Sequence, residues 1–128
     1  MTRSQRLLAG FFTFAGTMHF LRPREYEAIV PPGLPAREVV AISGVAEIAG
    51  GLAVISPATR RLAGWWLIAL LIAVFPANVY MTLHPDQVAK RGVAADEIPI
   101  ALLWARLPLQ PLIAWWAWRA TRPARGRR

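Results

Sequence analysis

Glu47 and Arg106 are the residues in this chain best suited to chemistry, because each sits inside a strongly apolar stretch. Placing a charge at the centre of a membrane-inserted helix costs about 2.5–3.5 kcal/mol, so such residues usually face a bundle interior or a wet cavity. Glu47 lies eight residues beyond Val39, and Arg106 lies eight beyond Ile98. At about 1.5 Å per helical residue, both are roughly 12 Å from the same end of their helices. Equal depth and opposite sign predict a pair. Other polar side chains fall near that level: His19, Ser43, Asn78 and Gln110. Ser43 is one turn from Glu47, Gln110 is one turn from Arg106, and Gly44, Glu47 and Gly51 share a helix face. Small residues beside a charge let a neighbouring backbone approach and shield it. Two uses follow from this pattern. The carboxylate and guanidinium form the polar wall of a ligand or proton site, or the cluster only holds helices together through hydrogen bonds of about 0.6 kcal/mol each.

The elements that must position these residues are four apolar blocks, at 7–21, 39–55, 62–83 and 98–118. Hydrophobic residues make up 55% of the 128-residue chain, and the mean hydropathy is +0.37. A bilayer core about 30 Å thick takes about 20 apolar residues in a helix. The blocks therefore predict an all-α polytopic membrane protein, a bundle of four transmembrane helices over approximately 5–21, 39–55, 62–83 and 98–118. The whole of 1–128 is expected to form one membrane domain ending in a basic tail at 119–128. Arg3 and Arg6 precede the first block as in a signal peptide, but no small-x-small cleavage pattern follows, so the block is read as a retained helix.

The net charge of +8 is unevenly spread. Arg3, Arg6, Arg60, Arg61, Arg119, Arg122, Arg125, Arg127 and Arg128 fall in the termini and the loop between the second and third blocks, with no acidic residue among them. The two other loops mix Arg22, Arg24, Arg37, Lys90 and Arg91 with Glu25, Glu27, Glu38, Asp86, Asp96 and Glu97. Basic residues near helix ends mark the cytoplasmic side, so both termini are expected there. Trp65, Trp66, Trp115, Trp116 and Trp118 fall at that same interface. The basic tail is then an anchor on anionic lipid and not a nucleic-acid arm.

Prolines shape the remainder. The loop at 22–38 carries Pro23, Pro31, Pro32 and Pro35, and is either a lid over the bundle mouth or a stiff connector. Pro76, Pro108 and Pro111 interrupt helices and free the carbonyls of Ile72, Trp104 and Leu107. There is no cysteine, which excludes thiol redox chemistry, disulfides and cysteine-ligated iron–sulfur clusters. The spacing of His19 and His84 does not require a metal or haem, so no metal is expected.

Taken in order, several motifs resemble the DoxX-like family of small membrane proteins. They are His19 and Phe20 followed by Pro23 and Tyr26; Ile29, Val30, Pro31, Pro32, Leu34 and Pro35; Ser43, Gly44, Glu47 and Gly51; Phe75, Pro76, Ala77, Asn78 and Met81; and Arg106, Leu107, Pro108 and Gln110. The resemblance spans roughly 16–111 and implies a four-helix bacterial inner-membrane protein. The family name is tied to subunits of quinol oxidase and thiosulfate:quinone oxidoreductase, and some relatives associate with redox-defence proteins. Those redox roles depend on other subunits; taken with the polar cluster, the leading expectation is an accessory component of a membrane redox or stress-response system whose polar core binds a small amphiphilic or quinone-like ligand, with no independent catalytic activity. Glu47 and Arg106 would anchor that ligand, and Asn78, His19 and Gln110 would orient it. The expected partners are the bilayer and membrane redox subunits, with homo-oligomers compatible and nucleic acid not expected. The alternatives are a purely structural or assembly subunit, and a transporter of small solutes or protons.

Overall fold

The computed structural model describes residues 1–89 and 99–123, and six helices form within them. They are α1 (Arg3–Leu21), α2 (Pro23–Ile29), α3 (Ala36–Ala53), α4 (Arg60–Leu83), α5 (Pro85–Ala89) and α6 (Ile100–Thr121). Lys90, Arg91, Asp96, Glu97, Arg125, Arg127 and Arg128 lie outside the described residues.

Local chemistry sets the helix ends. Thr2 caps α1 through its hydroxyl, which accepts from the Gln5 N–H at 3.2 Å, while Gln5 Oε1 accepts from the Thr2 N–H at 3.0 Å. This reciprocal box satisfies two of the orphan donors at a helix start. The same Gln5 side chain donates from Nε2 to the Ala120 carbonyl at 3.0 Å, tying the start of α1 to the end of α6. Trp116 Nε1 donates to Ser4 Oγ at 2.9 Å and fixes the same junction. At the end of α3, Arg60 reaches back from Nε to the Val54 carbonyl at 2.8 Å and from Nη2 to that of Ile55 at 3.0 Å. A guanidinium thus occupies carbonyls that a helix C-terminus leaves open.

The chain expected as a loop at 22–38 opens with a helix. Proline at the first position of α2 suits its fixed φ, and extended Val30 then turns the chain through Gly33, whose φ is +92°. Of the second loop, 85–89 forms α5 and the remainder lies outside the described residues.

Long helices pair α1 with α3 and α4 with α6. Glycine makes the first pairing close: a Cβ on Gly16 would stand 2.7 Å from the Gly44 carbonyl oxygen. Two apolar cores result. Leu8, Phe12, Val54, Leu67 and Ala117 fill the end where the termini meet, and Ala28, Met81, Val88 and Leu103 fill the end roofed by α2 and α5.

The expected bundle of four transmembrane helices is not supported. Among the described residues one helix, α4, is long and apolar enough to cross a membrane, with 24 residues and a mean hydropathy of 2.0 over its best window. The others fail for identifiable reasons. α3 spends three of its 18 residues on Arg37, Glu38 and Glu47; α1 opens on Arg3, Gln5 and Arg6; α6, though continuous, carries Arg106, Pro108, Gln110, Pro111 and Arg119. Clustered apolar residues therefore reflect packing between helices as much as spanning length. The outer surface is nevertheless apolar in many places, with Phe14, Leu62 and Ile72 each about 70% exposed.

Candidate functional site

A cavity of about 520 Å³ opens among α1, α2, α3, α4 and α6. Phe12 and Leu71 border it from the core at the termini, and Ile29 borders it from the core under α2. Tyr26, Val30, Pro31 and Leu34 line it as well, so the proline-rich segment lies over the cavity as a cover. All six residues singled out in the sequence, His19, Ser43, Glu47, Asn78, Arg106 and Gln110, reach its wall.

Glu47 and Arg106 do not form the expected pair. No ion pair within 4 Å joins them; the partner nearest the carboxylate is His19, whose Nδ1 is 3.1 Å from Oε2. Counting residues fixes depth along a helix but not direction around it, and α1 brings His19 to the face of α3 that carries Glu47. Arg106 is exposed and points toward α4, with Nη2 3.5 Å from Asn78 Oδ1 and Nη1 3.8 Å from Met81 Sδ.

The His19 contact does not satisfy the carboxyl group. Nδ1 also lies 2.8 Å from the Ala15 carbonyl oxygen, which can only accept, so the ring proton sits on Nδ1 and is directed to Ala15. Burial lowers the affinity of the ring for a second proton, partly offset by that hydrogen bond. His19 is therefore a neutral neighbour. Glu47 Oε2 is left buried with no hydrogen-bond partner, and Ser43 makes no hydrogen bond to it despite lying one turn away. Burial pushes the Glu47 carboxyl up to about 7.

Tyr26 belongs to the site and was not singled out as a site residue from the sequence. Its ring stacks on His19, with centroids 4.0 Å apart and an interplanar angle of 22°. Burial raises the affinity of its phenol for the proton; Glu47 and Glu25 add to this, and Arg106 opposes it. The signal available was its position seven residues after His19 in the segment expected to cover the bundle, but tertiary folding of α2 is what stacks the rings.

Asn78 and Gln110 serve each other. Asn78 Nδ2 donates to Gln110 Oε1 at 2.7 Å, and Gln110 Nε2 donates to the Leu71 carbonyl at 3.1 Å, joining α4 to α6 in a buried link. His84 lies away from the cavity against Tyr80, with ring centroids 5.1 Å apart. Among the described residues, no three of the His, Asp and Glu side chains gather as a metal site would need.

Fold and site together define a small helical protein with a mainly apolar cavity that carries a few polar side chains on its wall. The chain belongs to a family described as a domain of unknown function, DUF8561, whose match covers residues 8–121. No curated protein and no solved structure matches it. Nothing in these comparisons links the chain to the DoxX-like family.

Proposed function

We propose that this chain is a small membrane-associated binding protein whose cavity takes a small amphiphilic or quinone-like ligand. The observation that carries this reading is the cavity of about 520 Å³, walled by Phe12, Leu71 and Val74, which is also lined by Arg106 and by Glu47 with its unsatisfied carboxyl. Ligand sites are typically concave, mostly apolar and equipped with a few convergent polar groups. Association with a membrane is supported by the length and hydropathy of α4 and by the exposed apolar surface. A bacterial cytoplasmic membrane fits the arginines and tryptophans at the end where α1 starts and α6 stops, where Arg119 and Arg122 lie over the rings of Trp115 and Trp118. The motif resemblance adds the role of an accessory component in membrane redox or stress response.

The structural reading also has an observation in its favour. The Asn78–Gln110–Leu71 link uses its polar groups entirely between helices, as an assembly subunit would. Native mass spectrometry of the purified chain, paired with organic extraction, separates the two. A lipophilic molecule should be retained near one per chain and lost when Ala77 on the cavity wall is replaced by Trp. A reproducibly empty wild-type protein sinks the binding reading in favour of the structural one.

A further inference from the structure

Three side chains on the cavity wall keep hydrogen-bonding capacity that the protein does not use. Glu47 receives no hydrogen bond among the described residues, and its Oε2 is buried. The Tyr26 hydroxyl, which sits close enough to Glu47 and Arg106 to feel both charges, makes no hydrogen bond among the described residues. Arg106 has five donors and, among the described residues, spends them only on long contacts, to Asn78 at 3.5 Å and Met81 at 3.8 Å. Asn78 and Gln110 are already committed to each other.

We infer that the occupant meets this wall with a neutral hydroxyl group, as a lipophilic alcohol or phenol does. The inference rests on the binding reading above and narrows it. A carboxylate would suit Arg106 but would bring a like charge against Glu47. An alkylammonium would suit Glu47 and be repelled by Arg106. A ketone, ester or ether only accepts, so above about pH 7, where Glu47 is ionised, it serves Arg106 and Tyr26 and leaves Glu47 without a donor. A hydroxyl donates to Glu47 and accepts from Arg106 or Tyr26 at the same atom. Leaving a buried acceptor unmet is what makes one of two otherwise similar ligands lose. For a quinone-like ligand, this selects the reduced, hydroxyl-bearing form over the ketone. The apolar remainder of the molecule packs against Phe12 and Leu71.

The test compares para-heptylphenol with its methyl ether, titrated calorimetrically into the delipidated full chain in detergent at about pH 8, where Glu47 is ionised. The phenol should bind at least about tenfold more tightly than the ether. Glu47→Leu should bring the ratio below about threefold, whereas Arg106→Gln should weaken both probes alike. Equal binding of the two probes to the wild type overturns the hydroxyl inference and leaves the cavity as a binding site. A preference that survives Glu47→Leu also overturns it, since the ether's bulk would then be the cause. If neither probe binds, the proposed binding function fails and this inference fails with it.

Discussion

Gly16→Ala is expected to destabilise the protein by about 1–3 kcal/mol, although alanine is the better helix former. A Cβ at that position would stand 2.7 Å from the Gly44 carbonyl oxygen, 2.8 Å from Ile48 Cγ1 and 2.9 Å from Glu47 Cβ. Two of these neighbours are held by the α3 backbone and cannot rotate away, so α1 and α3 must separate. Gly44 is in the reciprocal position, facing His19 Cβ and the Gly16 carbonyl oxygen. Separation therefore pulls His19 from Glu47 and opens the cavity wall. Gly10, on the same helix, has open space where its Cβ would go. There the same substitution should gain up to about 1 kcal/mol from helix propensity alone. Thermal unfolding followed by circular dichroism measures both variants. Similar shifts at the two glycines would mean that close α1–α3 approach does not hold the site.

Phe12→Ala should have the larger effect, about 3–5 kcal/mol. Phe12 is 1% exposed, packs with Leu8, Leu67 and Ala117, and meets Phe11 edge to face at 5.2 Å. Its ring also forms a wall of the cavity, so truncation joins a new void to an existing one. The ligand should then bind more weakly in the fraction that folds, because the apolar contact is gone. Phe12→Leu keeps most of the volume and should cost under about 1.5 kcal/mol. Denaturation of all three proteins checks the order; an alanine variant as stable as the leucine one would show that this end of the bundle is not tightly packed.

Both substitutions act through features that the sequence carried unevenly. Apolar blocks marked where long helices run, because hydrophobic side chains must be buried in any packing of this chain. They overstated how many helices qualify to span a membrane, because α1, α3 and α6 mix spanning-like stretches with Arg3, Arg6, Glu38, Arg106 and Arg119. The polar residues at similar depth were visible for the same reason that helical rise is constant. Their pairing was not. Glu47 looks toward α1 and His19 because Gly16 and Gly44 bring those helices together, while Arg106 looks toward α4. Direction around a helix depends on which neighbour packs there, and residue counting holds no information about it. Tyr26 illustrates the limit further: its place in the site depends on α2 folding back over His19, a tertiary event in a segment whose prolines suggested an irregular chain.

The central claim is that the space bounded by Phe12, Tyr26, Glu47 and Arg106 holds an amphiphile. The most direct measurement is a crystal structure of the full chain with a bromine-labelled alkylphenol, using anomalous scattering to locate the bromine. A strong peak is expected inside this cavity, with the phenol oxygen within hydrogen-bond distance of the Glu47 carboxyl. Bromine found only against the exposed surface around Phe14, Leu62 and Ile72, with the cavity unchanged, would contradict it.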